Sequence, residues 1–237
     1  MNRFVLIKAE LKQDTRAPNI GIGVTNPKAS EDTLRPEEMP SMVRAVEKCT
    51  LEFTSGRVAA RQAMLDMGHA PKAVLMAPDC SPIWSDCLVV STTYSDDVCI
   101  AVVTQSSSGR SVGIDIEPGT PLDPDLEDVI CPPSERAWLD AHCEERCGHL
   151  AKQVFCMKES FYKALYPLTG QVLRLEEVEV RLPFQNITGF ILKSSDRAEV
   201  LPIETRLGAV AHSVSIYASL TEISCPFVHS TAPNYED

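Results

Sequence analysis

The feature that most constrains the fold is the segment Leu150–Tyr166, in which apolar side chains recur at helical spacing. Because an α-helix turns once in about 3.6 residues, these side chains fall on one stripe, which contains Val154, Met157, Phe161 and Leu165. A polar stripe beside it contains Lys152, Glu159 and Lys163. Proline lacks a backbone N–H and clashes with the preceding turn, so the sequence predicts that this helix stops before Pro167.

Short runs of β-branched residues elsewhere in the chain predict strands. Those before the helix are Phe4–Ala9, Cys87–Val90, Val98–Thr104 and Val112–Glu117, and those after it are Glu177–Arg181, Thr188–Leu192 and Ser213–Leu220. The polar stretch Ser91–Asp97 is expected to form a turn, and Gly56–Met67 a further helix that ends at Gly68. Helix and strand signals mix along the whole chain, which favours an α+β fold.

Composition excludes several classes of protein. A formal net charge of −11 over 237 residues argues against a protein that binds nucleic-acid backbones. The sequence contains no apolar run long enough to span a bilayer, and the run at Phe4–Ile7 is too short for a signal peptide. Nine cysteines, an odd number without a CxxC pair, are typical of reduced thiols. We therefore expect a soluble cytoplasmic protein.

The strand Val112–Glu117 carries two neighbouring carboxylates. Side chains alternate along a strand, so Asp115 and Glu117 lie on one face and two isoleucines on the other. Like charges on one face repel each other, and a hard cation such as Mg²⁺, which prefers oxygen ligands, would relieve the repulsion. A solvated strand end explains the same pattern equally well.

The polar stripe of the long helix has two interpretations as well. Glu159 and Lys163 stand four residues apart, a common surface pair that contributes only a few tenths of a kcal/mol. However, Phe155, Phe161 and Tyr162 crowd around this stripe. A carboxylate buried among them would need a cationic partner, which favours a functional site.

The helix Gly56–Met67 contains two arginines on one face. Arg57 and Arg61 stand four residues apart, and two cations at this spacing destabilise a helix unless an anion lies between them. Arginine binds phosphate through two parallel hydrogen bonds, so a phosphorylated ligand would satisfy both side chains. Two arginines extending into water are the alternative.

These segments together, in this order, resemble one family. The motifs are GRVAAR, PDCSPIW, STTYSD, VGIDIE and FCMKESFYKALYP, and they cover about residues 50 to 170. The series is similar to that of the surfactin-type 4′-phosphopantetheinyl transferases, particularly the branch that resembles enterobactin synthetase component D. The pair GIDIE and KESFYKALYP is the most specific part, because both motifs and their separation agree.

The resemblance implies a fold and a reaction. The fold is a pseudo-twofold pair of similar α/β lobes, here 1–110 and 111–237, with the active site in the cleft between them. The reaction moves 4′-phosphopantetheine from coenzyme A to a serine of an apo acyl or peptidyl carrier protein, depends on Mg²⁺ and releases 3′,5′-ADP. The carriers would belong to polyketide, fatty-acid or nonribosomal peptide synthases, and a pseudo-dimeric chain is expected to be a monomer.

The resemblance also assigns roles to individual residues. Asp115, Glu117 and Glu159 correspond to ligands of Mg²⁺, and Glu159 also to the base for the carrier serine. Lys163 and Lys158 are expected to neutralise the pyrophosphate, with Lys163 counted as catalytic. The positions implied in contacts with coenzyme A are Arg57, Arg61, Thr93, Tyr94, Lys158 and Lys163.

The chain departs from the family pattern at one ligand position. Tyr94 stands where the family usually has a histidine associated with the 3′-phosphate of coenzyme A, and Val90 and Ser81 replace a glycine and a frequent arginine. A phenol donates one hydrogen bond and brings no positive charge. A catalytically weak relative that binds coenzyme A or carrier protein is therefore the alternative function, and a metal-dependent phosphohydrolase would not explain the arginine helix.

Overall fold

The computed structural model describes residues 3–15, 20–28, 33–85, 87–95, 98–142, 147–180, 187–193, 198–211 and 216–223. Its helices are α1 (Arg3–Thr15), α2 (Glu47–Asp66), α3 (Pro124–Ile130), α4 (Pro133–His142) and α5 (Cys147–Thr169), with short 3₁₀ turns at Met39–Met42 and Leu175–Glu177. The strands are β1 (Gly21–Thr25), β2 (Leu75–Met76), β3 (Pro82–Ile83), β4 (Leu88–Ser95), β5 (Val98–Gln105), β6 (Ser111–Pro118), β7 (Val178–Val180), β8 (Ile187–Lys193), β9 (Ala198–Ala211) and β10 (Ile216–Ile223).

The strands form two main antiparallel sheets. One has the order β1-β5-β4 and the other the order β6-β10-β9-β8-β7, while β2 and β3 make a separate hairpin. This combination of helices and antiparallel sheets confirms the α+β fold class. No helix among the described residues is long and apolar enough to cross a membrane.

The two sheets repeat one connectivity. In each, the first strand along the chain lies at an edge and pairs with the last strand, and the first long helix after it packs on that strand. Glycine makes the helix contact possible in both, because a Cβ at Gly23 would lie 1.9 Å from the carbonyl oxygen of Ala59, and one at Gly113 1.9 Å from that of Ser160. The pseudo-twofold relation of two lobes stays a prediction.

Among the side chains that the structure describes, the apolar core has three parts. One lies between α1, β1, β5 and β6, a second between α2 and the strands β4 and β5, and a third joins α3, α4, α5 and β7. Ile114 and Ile116 of β6 are both buried in the first of these, as strand alternation predicts. The opposite face of β6 therefore presents its carboxylates away from this core.

Two local predictions for the chain before the long helix were wrong. The predicted strand Phe4–Ala9 lies within α1, because Phe4, Ile7 and Leu11 recur at helical spacing and pack into the same core. The predicted turn at Ser91–Asp97 is largely strand, since β4 continues to Ser95 and pairs with β5; Asp96 and Asp97 lie outside the described residues.

The long helix also continues past its proline. Pro167 lies in the last turn of α5, where the helix loses only one backbone hydrogen bond, and the chain leaves the helix at Gly170 with a φ of +65°. The predicted strand at Ser213–Leu220 is found as β10, with residues 213–215 outside the described part. Strands β1, β2, β3 and β9 were not predicted.

Candidate active site

The site lies where the two sheets meet. Strands β4 and β6 run side by side in different sheets, and side-chain hydroxyls link them. The N–H of Ile114 donates to Ser91 Oγ at 3.1 Å, and the N–H of Ile116 donates to Thr93 Oγ1 at 3.3 Å. This junction brings Thr93 next to the buried carboxylate of Asp115.

Asp115 is the centre of the site. The residue is 4% exposed, and its Oδ1 accepts a hydrogen bond from Thr93 Oγ1 at 3.1 Å. The ammonium of Lys163, on α5, lies 2.7 Å from the same Oδ1 and 3.3 Å from Thr93 Oγ1. The other carboxylate oxygen, Oδ2, is buried and has no hydrogen-bond partner among the described residues.

Two further carboxylates interact with Asp115. Glu117 pairs with Lys152 Nζ at 3.3 Å, and its pKa is raised first by burial and then by the charge of Asp115. The pKa of Glu159 is raised by the same two causes in the same order, while the nearby Lys163 opposes the shift. The polar stripe of α5 thus faces the carboxylates of β6.

The donor set fits a hard divalent cation. All three carboxylates supply oxygen, the ligand type that Mg²⁺ prefers, and Asp115 Oδ2 is a buried acceptor with no donor in the described part of the chain. In the described residues, no group of three or more His, Cys, Asp or Glu side chains is already arranged to hold a metal ion. Lysines now neutralise Asp115 and Glu117.

Lys158 does not join this cluster. Its side chain is fully buried on another side of α5, where Nζ pairs with Glu135 Oε2 at 2.8 Å and donates to the carbonyl oxygens of Ile130 at 2.7 Å and Leu175 at 3.1 Å. This geometry argues against the predicted contact of Lys158 with a pyrophosphate. Its ammonium instead ties α5 to the segments around it.

Arg61 also has an internal partner. Its Nη1 donates to both carboxylate oxygens of Glu38, at 2.8 and 2.9 Å, and its Nη2 donates to the carbonyl oxygen of Thr33 at 2.7 Å. Glu38 is fully buried and accepts a further bond from the N–H of Val74 at 2.8 Å. The anion that the paired arginines require is therefore in part Glu38, which the sequence did not identify as a partner.

Arg57 is held differently. Its Nε donates to the carbonyl oxygen of Val74 at 3.2 Å, and its guanidinium carbon lies 3.4 Å from the centre of the Phe53 ring. Burial lowers its pKa to about 10. No carboxylate of the described residues lies within ion-pair distance of Arg57, so its charge is less well compensated than that of Arg61.

Tyr94 lines a separate cavity. A cavity of about 460 Å³ is lined by Tyr94, Glu47, Glu52, Lys28 and Lys48, among others. Tyr94 is 52% exposed, and burial, followed by the negative charge of Glu52, raises the pKa of its phenol. Tyr94, which stands where the family motif usually has a histidine, thus has an acidic neighbour in Glu52.

A second cavity, of about 380 Å³, opens beside Lys163. Its apolar wall is formed by Trp84, Leu88, Val90, Tyr162, Tyr166 and Leu168. The hairpin β2–β3 covers one side, and the hydroxyl of Tyr166 donates to Asp79 in its turn at 3.3 Å. An uncharged chain attached to an anionic group would match an apolar cavity that is also lined by two cations, Lys163 and Arg110.

Comparison with known proteins gives two family matches. Residues 37–104 match the 4′-phosphopantetheinyl transferase N-terminal domain, and residues 111–206 match the 4′-phosphopantetheinyl transferase superfamily. Together these ranges contain Thr93, Asp115, Glu117, Glu159 and Lys163.

Curated relatives carry the same description. The chain is 38% identical to the 4′-phosphopantetheinyl transferase Svp of Streptomyces mobaraensis over 62% of its own length and 60% of that protein. It is 34% identical to Npt of Nocardia iowensis over 64% of its own length and 67% of that protein. It is 37% identical to PptT of Mycobacterium tuberculosis over 61% of its own length and 63% of that protein. The chain therefore matches about two thirds or less of the length of each relative.

Proposed function

The chain belongs to the 4′-phosphopantetheinyl transferase superfamily, and on this premise we propose that it is a holo-acyl-carrier-protein synthase. In the proposed reaction, 4′-phosphopantetheine passes from coenzyme A to a serine of an apo acyl or peptidyl carrier protein. The observation that carries the proposal is the contact between Lys163 and Asp115 at 2.7 Å, because it joins the two most specific motifs in one charged cluster.

Glu159 is the proposed general base. A raised pKa brings its carboxylate closer to the range in which a base works at neutral pH. The oxygen of the carrier serine forms a bond to the phosphorus that bears pantetheine, and the serine proton moves to Glu159. The bond from that phosphorus to the bridging oxygen breaks, and 3′,5′-ADP leaves.

Lys163 is proposed to stabilise the charge that develops on the leaving oxygen. Its ammonium is partly exposed, so it can contact a ligand while it stays near Asp115. Asp115, Glu117 and Glu159 would hold Mg²⁺, which when bound supplies charge neutralisation at the pyrophosphate oxygens. Arg57 is the arginine proposed for the nucleotide end, because among the described residues no carboxylate pairs with it as Glu38 pairs with Arg61.

The apolar cavity beside Lys163 is the proposed binding site of the pantetheine arm. Its volume of about 380 Å³ lies within the range of small-molecule sites, roughly 300–1,000 Å³. An arm in this cavity would place its phosphate near the Lys163 ammonium, which lines the same space.

Three expectations from the sequence stay predictions. They are the division into two lobes near residue 110, the cytoplasmic location and the monomeric state.

A weakly active relative is the alternative function, and Tyr94 favours it. The charge of Glu52 acts on its phenol, so an acidic group lies near the position at which the family would bring a cation toward the 3′-phosphate. An anionic phosphate next to a carboxylate is destabilised, which would weaken binding of coenzyme A.

One experiment separates these functions. The protein is incubated with an apo carrier protein, coenzyme A and Mg²⁺, and the carrier is measured by mass spectrometry. The proposed function predicts a phosphopantetheine increment on the carrier serine at a catalytic rate. Binding of coenzyme A without the increment would favour the weak relative. If coenzyme A does not bind and the carrier is not modified, both functions are refuted.

A further inference from the structure

The junction between β4 and β6 depends on two hydroxyls, of which only one touches the charged cluster. Ser91 and Thr93 are both buried, at 6% and 3% exposure, and each accepts one backbone N–H from β6. They stand two residues apart on β4 and so point to the same side of the strand. They have equivalent places in the junction but different surroundings.

The hydroxyl of Thr93 uses its full hydrogen-bonding capacity. A hydroxyl donates one bond and accepts two. Thr93 Oγ1 accepts from the N–H of Ile116 at 3.3 Å and from Lys163 Nζ at 3.3 Å, and it donates to Asp115 Oδ1 at 3.1 Å. Because both acceptor positions are taken, the O–H can point only toward the carboxylate.

This arrangement determines how Asp115 presents its second oxygen. Oδ1 receives Thr93 and Lys163, while Oδ2 stays buried without a partner in the described part of the chain. Without the Thr93 donor, Lys163 could bridge both oxygens, or the carboxylate could rotate about its χ2 angle, which is a soft torsion.

We propose that Thr93 is a positioning residue, which orients Asp115 and Lys163 so that Asp115 Oδ2 stays available to a divalent cation. This inference rests on the proposed function, and it gives Thr93 a role other than the predicted contact with coenzyme A. Loss of a group that orients a metal ligand typically weakens metal affinity or activity about 10- to 100-fold.

The test compares Thr93→Val with Ser91→Ala. Valine keeps the branched shape of threonine and removes only the hydroxyl, while Ser91→Ala removes the equivalent junction bond without touching a carboxylate. Mg²⁺ affinity is measured by titration calorimetry on the protein alone, and stability by urea unfolding. Because Ser91 also lines the apolar cavity, its variant serves as a control for metal affinity and stability only.

We expect both variants to lower the urea midpoint, and only Thr93→Val to weaken Mg²⁺ binding, by about 10-fold or more. Thr93→Ser should restore the affinity to within about threefold of the native protein, because it keeps the donor. The kcat for transfer should fall in Thr93→Val and recover in Thr93→Ser. If Thr93→Val does not fold, Thr93→Cys, with its weak donor, should show a smaller loss of Mg²⁺ affinity.

Equal Mg²⁺ affinities in the native protein, Thr93→Val (or Thr93→Cys) and Ser91→Ala would overturn the positioning role of Thr93. This result would not contradict the proposed transfer function. A native protein that binds no Mg²⁺ and modifies no carrier would instead refute the proposed function itself. The two failures are therefore distinguishable in the native control.

Discussion

Replacement of Arg61 by methionine tests whether this arginine is structural. Its guanidinium is the cation that faces the fully buried carboxylate of Glu38, with Nη1 2.8 Å from Oε1. Removing one partner of a buried ion pair leaves an uncompensated charge and costs about 3–5 kcal/mol. Glu38 keeps two backbone donors, the N–H groups of Val74 at 2.8 Å and Arg35 at 2.9 Å, so we expect the lower end, about 3 kcal/mol.

Arg57→Ala provides the comparison. It removes one hydrogen bond to a carbonyl, at about 0.5–1.5 kcal/mol, and a contact with the Phe53 ring, at about 0.5–1 kcal/mol. The free energy of unfolding should thus fall by about 1–2.5 kcal/mol, less than in Arg61→Met. The Michaelis constant for coenzyme A should rise in Arg57→Ala and stay near the native value in Arg61→Met.

Urea unfolding and steady-state transfer kinetics measure both quantities. A double variant, Arg61→Met with Glu38→Gln, serves as the control, because the amide can still accept from Val74 without a buried charge. It should recover part of the stability that Arg61→Met loses. An unchanged free energy of unfolding in Arg61→Met, together with a raised Michaelis constant for coenzyme A, would refute the reasoning. It would show that Arg61 contacts coenzyme A.

Three further predictions concern the carboxylate cluster, the contact between β6 and α5, and the donor substrate. The raised pKa of Glu159 means that its contribution to stability is fully present below its ordinary pKa of 4.5 and is lost as the pH rises through its folded-state value. Glu159→Gln should therefore stabilise the metal-free protein in urea at pH 7 and not at pH 4; a gain that does not depend on pH would contradict this. Gly113→Ala should lower the melting temperature strongly, because its Cβ would lie 1.9 Å from a backbone oxygen, whereas Gly56→Ala, which has open space in α2, should be stabilising by about 0.5–1 kcal/mol. Tyr94→His should increase the preference for coenzyme A over 3′-dephospho-coenzyme A by about one to two orders of magnitude in kcat/KM, since a charged hydrogen bond contributes roughly 1.5–3 kcal/mol; an unchanged ratio would show that residue 94 does not face the 3′-phosphate.

The sequence by itself determined the features that depend on local spacing. Alternation along Val112–Glu117 placed Ile114 and Ile116 in the core, and helical spacing placed Lys152 and Lys163 on the stripe that meets the carboxylates of β6. These patterns are visible in sequence because strand and helix periods are fixed by backbone geometry. The family motifs are equally local.

Only the tertiary structure decided which charged groups meet. Lys158 and Lys163 belong to one helix and one motif, yet α4 supplies Glu135 to the first and β6 supplies Asp115 to the second. Arg61 finds its partner 23 residues earlier in the chain, in Glu38. The strength of an ion pair depends on distance and burial, and both are set by how separate segments pack, so no spacing along the chain could assign these partners.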